Sequence, residues 1–222
     1  MLLTDEKANR DVVDQLYWDT RVDANDVKVE VRNGNAILTG TVPSLMARRA
    51  AEQDAWNVDG VMSVENHLKV HLPEETRRFS DAEIGSNIAD AFETDANLDS
   101  SRLSVTVADG FVTLEGSVDH YWKKGLAEDI ASRMAGVSYV KNLLTVAPGK
   151  KIKDEIIAGN VVAALDRNSH IIAESVDVEV KDGVVTLRGE VLNRIAEQAA
   201  YDCALHTEGV VSIRNDLIIR PE

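Results

Sequence analysis

Cysteine, long apolar runs and basic charge are all scarce in this chain of 222 residues. Its one cysteine, Cys203, excludes an intramolecular disulfide and therefore a disulfide-stabilised scaffold. No segment approaches the roughly 20 apolar residues that a membrane-spanning helix needs. The N-terminal residues contain neither an apolar leader nor a lipobox cysteine, so we expect a cytoplasmic protein, or a periplasmic one if the N-terminus was trimmed.

Acidic side chains outnumber basic ones by 38 to 24, and the formal net charge is −14. Because the acidic residues are spread along the chain, no part of it has the basic surface that nucleic acids require, and we expect no nucleic-acid partner. An anionic membrane should also repel the chain unless a local basic patch overrides the overall field. Lys123-Lys124 beside Tyr121, and Arg48-Arg49, are modest candidates for such a patch.

One spacing of glycines and asparagine, G-x5-G-x19-G-x5-N, occurs three times without a slip. Its residues are Gly34, Gly40, Gly60, Asn66; Gly110, Gly116, Gly136, Asn142; and Gly183, Gly189, Gly209, Asn215. Three such copies predict three tandem domains of one fold, which we place at residues 1–72, 78–147 and 150–222. Short linkers at 72–78 and 147–151 contain proline or glycine and charged residues, so neighbouring domains are predicted to touch.

Each repeat begins with an amphipathic helix, for which Asp81 is the predicted N-cap in the second copy. Apolar residues recur at i, i+4 and i+8 along this helix. The stripes are Ala8, Val12, Leu16; Ile84, Ile88, Phe92; and Ile157, Val161, Leu165. Alternating valines then predict a strand with one buried face, and an Asn-Gly or Asp-Gly dipeptide predicts a tight hairpin. The dipeptides are Asn33-Gly34, Asp109-Gly110 and Asp182-Gly183.

A second strand and a second helix follow in each repeat. The predicted inner face of this helix is Met46, Ala50, Ala55; Trp122, Leu126, Ala131; and Ile195, Ala199, Ala204. The third glycine of each motif is predicted to cap the helix C-terminus, and a last strand is predicted at 61–70, 137–146 and 210–219. The predicted fold class is therefore α+β: three tandem α-β-β-α-β domains, each with two helices packed on one face of a three-stranded mixed sheet.

The recurring valines, the Asp/Asn-Gly turn, the second glycine, the A-x3-A helix and the final V-x-N-x-L together resemble the BON domain, a module named for bacterial osmotically inducible and nodulation proteins. The resemblance covers nearly the whole chain. It implies a non-enzymatic module of stress and cell-envelope proteins. Some family members contact anionic phospholipid, and one cytoplasmic relative senses potassium. Family members are often exported or lipidated, whereas no leader is visible here. A KH-like RNA-binding domain is the alternative fold, but its G-x-x-G clamp is missing.

Aromatic residues at polar repeat positions are the main candidates for a binding surface. Tyr17 and Trp18 align with charged or polar residues in the other two repeats, and Tyr201 aligns with two glutamates. Such positions normally face solvent, and Tyr and Trp are enriched at interface hot spots. These three side chains are therefore predicted either to bind a partner or a second copy of the chain, or to pack against a neighbouring repeat. Trp122 aligns with apolar residues and is predicted to be core.

No group of residues has the spacing of a catalytic or metal site, so we expect neither enzymatic activity nor a cofactor. His67 and His71 share a strand face but would lie about 13 Å apart, too far for one metal ion. Cys203 is interpreted as core filler. The glycines and asparagines of the motif are interpreted as structural, the glycines for positive φ and the asparagines as caps of backbone groups.

Three functions remain open at this stage: binding of a protein partner or self-association, binding of phospholipid, and a response to a monovalent cation such as potassium. The cation hypothesis rests on acidic residues between the first helix and first strand, which could hold a hydrated ion. These are Asp23, Asp26, Asp95 and Asp99.

Overall fold

The computed structural model describes residues 5–74 and 79–220. Residues 75–78 of the first predicted linker and both chain ends lie outside the described residues. The helices are α1 (Asp5–Trp18), α2 (Leu45–Trp56), α3 (Asp81–Thr94), α4 (Trp122–Ser132), α5 (Asp154–Asp166) and α6 (Arg194–Leu205). The strands are β1 (Val27–Arg32), β2 (Asn35–Val42), β3 (Ser63–Asn66), β4 (Lys69–Val70), β5 (Leu103–Ala108), β6 (Phe111–Val118), β7 (Tyr139–Asn142), β8 (Thr145–Val146), β9 (Val176–Lys181), β10 (Val184–Val191) and β11 (Ser212–Ile219).

The three sheets share one mixed topology, which confirms the predicted fold class. In the first repeat β1 pairs antiparallel with β2, and β2 pairs parallel with β3. The third repeat has the same arrangement, and β10 runs parallel to β11 along the whole length of both strands. In the second repeat the strand order is β5-β6-β7, equivalent to β1-β2-β3 of the first repeat. The last strand was predicted as one continuous segment, but in the first two repeats it is broken in two.

The predicted apolar stripe of the first helix is buried in all three repeats. In the first repeat α1, α2 and one sheet face share a single core that includes Val12, Leu16 and Leu38. In the third repeat the equivalent core contains Val161, Leu165 and Leu187. The alternation of buried and exposed residues along β2 and β10 makes the opposite face of these strands mostly polar, with Ile37 and Val184 as the apolar exceptions.

Each hairpin turn is held by an aspartate at the start of the first helix. Asn33 and Gly34 both have positive φ, as a two-residue type I′ turn requires. The carboxylate of Asp5 accepts hydrogen bonds from both turn amides, at 2.8 and 3.1 Å. Asp81 and Asp154 hold the next two turns in the same way. Each turn is therefore fixed to its helix by two charge-assisted hydrogen bonds.

The N-cap prediction for Asp81 is wrong by one residue. Ser80 caps α3, because its hydroxyl accepts from the Glu83 amide while the Glu83 carboxylate accepts from the Ser80 amide. Asp81 is the first helical residue, and its side chain is committed to the hairpin.

Replacing Asp154 with alanine is expected to destabilise the third repeat by about 1–3 kcal/mol, because two amides of the turn lose a charged acceptor. Glu155→Ala is the matched control, since it removes one exposed carboxylate from the same helical turn. Urea unfolding followed by circular dichroism measures both variants. Equal effects of the two substitutions would contradict the role given to Asp154.

The inner face of the second helix was predicted only in part: Ala50, Ala55, Ala131 and Ala204 are buried as predicted, but the predicted residues at the start of the helix are not. The residues buried on its inner side in the third repeat are Ala196, Ala200 and Ala204, whereas Ile195 is 63% exposed. Trp122 is half-buried and is not one of the buried hydrophobic residues, so the prediction that it belongs to the core is wrong. The helix is rich in alanine, and small side chains let it lie close to the sheet.

The glycines predicted to cap this helix lie beyond its end. α2 ends at Trp56 with Asn57 as its cap, and α6 ends at Leu205 with His206 as its cap. Gly60 and its equivalents come four residues after the last helical residue and form the turn into the final strand.

Judged by which residues lie close together in space, the chain divides into two compact units, and the boundary between them runs through the second repeat. One unit contains residues 1–91, 105–113 and 129–141, and therefore includes the first repeat. The other contains residues 92–104, 114–128 and 142–222, and therefore includes the third. Each unit thus holds contacts between one terminal repeat and part of the middle repeat.

Candidate functional site

Tyr17 and Trp18 lie at the end of α1 and are the most exposed aromatic residues among those described. Their side chains are 70% and 77% exposed, and their rings meet edge to face with centroids 5.3 Å apart. Leu16, the preceding residue, completes the buried stripe, so the helical turn of about 100° per residue carries the next two side chains away from the core. Val13 lies one turn before Tyr17 and is also exposed, which extends the apolar surface.

Tyr201 is half-buried rather than exposed, and it contacts Tyr121 of the preceding repeat. Burial raises the pKa of Tyr201, and the neighbouring Tyr121 side chain raises it further. Tyr121 also packs against the core of the third repeat. The structure therefore places Tyr201 at a contact between the second and third repeats.

The asparagine of each motif connects the second helix to the last strand. The amide nitrogen of Asn66 donates to the Arg48 carbonyl and to the Glu52 carboxylate, both at 3.0 Å. Its oxygen accepts from the Leu68 amide at 3.1 Å. Asn142 repeats all three hydrogen bonds. These asparagines satisfy backbone groups where the last strand is interrupted.

Asn215 departs from this pattern because Tyr201 replaces the glutamate. Its amide nitrogen donates instead to Glu197, one helical turn earlier, at 2.8 Å. Tyr201 thus cannot accept the hydrogen bond that Glu52 and Glu128 accept from the asparagine in the other repeats. It contacts the preceding repeat instead.

A second exposed aromatic pair, missed by the sequence analysis, lies on the second repeat. Phe111 and Tyr139 have ring centroids 5.8 Å apart and are 56% and 44% exposed. The first repeat has Asn35 and Ser63 at these positions, joined by a hydrogen bond. The repeat comparison that singled out Trp18 would have found this pair if it had been extended from helices to strands.

The basic candidates for lipid contact make internal contacts. Arg48 donates to the Asn66 carbonyl, and Arg49 donates to the Ser132 hydroxyl. Lys123 pairs with Asp119 at 2.9 Å. Lys124 lies 5.9 Å from the ring centre of Tyr121, within cation–π distance.

The acidic candidates for cation binding take part in local turn structure. Asp23 caps a short 3₁₀ helix at Ala24–Asp26. Asp95 accepts hydrogen bonds from Asn97, and Asp99 accepts one from Ser101. In the described residues, no group of three His, Cys, Asp or Glu side chains could hold a metal ion.

Cys203 lines a cavity of about 340 Å³ in the third repeat, together with Arg167 and His206. Burial raises the pKa of the Cys203 thiol, which favours the less nucleophilic protonated form. This agrees with its interpretation as filler beside the core.

A buried carboxyl group in the first repeat was not anticipated. Asp54 is only 2% exposed, and burial, reinforced by the neighbouring Asp19 charge, raises its pKa to about 6. Hydrogen bonds from Arg21 lower the pKa of Asp19 to about 2. The equivalents of Asp54 in the other repeats are Ile130 and Cys203, so this charge is peculiar to the first copy.

The repeated α-β-β-α-β architecture defines the chain as a tandem-repeat α+β protein. Residues 4–71, 80–148 and 153–221 each match the BON domain, and the chain belongs to the BON domain family.

Two curated relatives illustrate the similarity. The chain is 29% identical over 143 residues to osmotically-inducible protein Y of Escherichia coli, covering 62% of this chain and 71% of that protein. It is 30% identical over 118 residues to an uncharacterised protein of Anaplasma centrale, covering 52% of this chain and 78% of that protein.

Among solved structures, CdsD, a structural protein of the type III secretion system of Chlamydia trachomatis, aligns over 96% of this chain and 92% of its own. The identity is 13% and the TM-score 0.28, which is too low to support a conclusion about this chain. Among the described residues, no helix is both long enough and apolar enough to cross a membrane.

Proposed function

We propose that this chain is a non-enzymatic binding protein of the bacterial osmotic stress response, and that the Tyr17–Trp18 pair on its first repeat binds a protein partner. The exposure of these two rings is the observation that carries the proposal. The osmotically inducible relative supports the stress setting.

The pair has the physical properties of an interface anchor. Tyr and Trp combine a large apolar area with few rotatable bonds, so little conformational entropy is lost when they are buried. Edge-to-face packing restricts the two rings before a partner arrives. The adjoining Val13 enlarges the apolar area, while Asp14 beside it is exposed and charged. An apolar centre with a polar rim is typical of protein interfaces.

Trp18→Ala is expected to weaken partner binding by at least about 10-fold, since truncating an anchor residue costs about 2 kcal/mol or more. The test is a pull-down from the source cell with wild-type and variant baits, followed by titration of any recovered protein against each bait. Circular dichroism should show the same fold for both, because the Trp18 side chain is mostly exposed and contributes little to the core.

Phe111→Ala is the matched control, because it removes an exposed aromatic ring from a different repeat. A partner that is lost with Trp18→Ala and retained with Phe111→Ala supports the proposal. A partner that both baits retain with equal affinity contradicts it.

Anionic phospholipid is the second ligand class, favoured by one observation, the stacking of Lys124 on Tyr121. A cation beside an aromatic ring suits the interface of an anionic membrane. Vesicles containing phosphatidylserine should then sediment with the protein at low salt, and Lys124→Glu should reduce the bound fraction. Absence of sedimentation at low salt would remove this alternative.

A further inference from the structure

The two contacts between repeats use corresponding parts of the second helix. Within the first compact unit, Arg49 of α2 donates to the Ser132 hydroxyl of α4 at 3.0 Å and lies 3.4 Å from the Asp129 carboxylate. Met46 of α2 lies beside the same hydroxyl, with its sulfur 4.0 Å away. The first half of α2 thus contacts the second half of α4.

Within the second compact unit, Tyr121, which directly precedes α4, packs against the core of the third repeat and lies close to Tyr201 of α6. Repeat alignment makes Tyr121 the equivalent of Leu45, which precedes Met46. It also makes Tyr201 the equivalent of Glu128, which precedes Asp129. The start of the second helix of one repeat therefore contacts the later part of the second helix of the next repeat in both cases.

A contact between two different surfaces is heterologous, so each repeat of a series offers one surface to the repeat before it and another to the repeat after it. In the third repeat the second of these surfaces is the start of α6. Ile195 there is 63% exposed, whereas its equivalents Met46 and Trp122 are half-buried. Leu192, just before the helix, is also exposed. Ile195 thus occupies a position that is half-buried in the preceding repeats, and Leu192 adds a second exposed aliphatic side chain beside it.

The complementary surface is the later part of α2 in the first repeat. Transferring the observed contacts by repeat alignment pairs Arg194 with Glu52, Ile195 with Trp56, and Gln198 with Gln53. The first pair is opposite in charge, the second is apolar, and the third joins two amides. Arg194 already pairs with Glu197, and Trp56 packs partly on the core of the first repeat, so both side chains are held near their helix surfaces. Each pair is chemically compatible.

We infer that the occupant of the Ile195 surface is a second copy of this chain, which docks its α2 there in a head-to-tail contact. The contact continues the interface that already joins consecutive repeats. Between separate chains it is expected to be weak, because few side chains take part and no linker raises the local concentration. This surface is distinct from the Tyr17–Trp18 pair, and its test does not depend on the proposed function.

Sedimentation velocity of the full chain from 10 μM to about 1 mM tests the inference. The weight-average mass of the wild type should rise above 24.3 kDa with concentration. Ile195→Glu should weaken the association at least about 10-fold, since it buries an unpaired charge. Ile156→Glu, which alters a similarly exposed isoleucine on α5 of the same repeat, should have no effect. A wild type that remains monomeric throughout would overturn the inference, as would equal losses from the two variants.

Mixing two blocked variants tests the heterologous geometry. Ile195→Glu leaves the α2 surface intact, and Gln53→Arg, which alters an exposed residue, leaves the α6 surface intact. Neither variant should associate alone, but an equimolar mixture should form a 1:1 dimer and stop there. Failure of the mixture to associate would contradict a head-to-tail contact.

Discussion

Replacing Gly189 with alanine is expected to destabilise the third repeat by about 3–5 kcal/mol, a large part of the stability of a domain of about 70 residues. Gly189 has a φ of 132°, which residues with a side chain rarely adopt. An added Cβ would also lie 2.0 Å from the Ser175 carbonyl oxygen. Because that oxygen belongs to the backbone, the strands β9 and β10 would have to separate locally.

The control for this variant is another glycine-to-alanine change in the same repeat. Gly159 lies on α5 and has no neighbouring atom within 4 Å of the added Cβ. Gly159→Ala should therefore stabilise the repeat by about 0.5–1 kcal/mol through helix propensity. Hydrogen exchange of third-repeat amides reports both changes. The interpretation of Gly189 fails if its variant exchanges no faster than the wild type.

Replacing Asp54 with isoleucine is expected to stabilise the first repeat by about 1–4 kcal/mol at pH 7, because an apolar side chain removes the cost of a buried charge. Isoleucine occupies the equivalent position in the second repeat as Ile130. The partners left behind, Asp19 and Arg21, still pair with each other. The substitution therefore leaves no isolated charge in the core.

The same residue sets a pH dependence. The pKa of Asp54 is raised to about 6 in the folded state from an ordinary value of 3.8, so the folded state binds the proton more tightly. The contribution of Asp54 to the free energy of unfolding is therefore largest at low pH, and it decreases as the pH rises from about 4 to 6. Asp19, with its pKa lowered to about 2, acts in the opposite direction below pH 4. The first repeat should be most stable near pH 4.

Urea unfolding between pH 4 and 8, followed by tryptophan fluorescence, measures this effect. The urea midpoint of the wild type should decrease as the pH rises from 4 to 6. The urea midpoints of Asp54→Ile and of the isosteric Asp54→Asn should stay constant over that range. An Asp54→Ile variant less stable than the wild type at pH 7 would show instead that the contacts with Arg21 outweigh the burial cost.

Local rules predicted most of the fold. The Asn-Gly and Asp-Gly turns form because both residues adopt positive φ, and the stripes of α1, α3 and α5 are buried because their spacing matches the helical period. The inner faces of α2 and α6 were predicted only in part, because these helices carry alanine on adjacent positions and small side chains leave two faces equally apolar. The end of α2 was misjudged because Gly60 resembles a cap but belongs to the following turn.

The exposure of Trp18 followed from the amino-acid sequence, since polar residues at the equivalent positions indicate a helix face that points to solvent. The surroundings of Tyr201 and Asp54 did not follow from the amino-acid sequence. Tyr201 meets a tyrosine 80 residues earlier in the chain, and the pKa of Asp54 depends on the burial that α1 and α2 create together. Periodicity and turn chemistry are local and can be read along the chain, whereas partners and solvent exclusion arise only when distant segments pack.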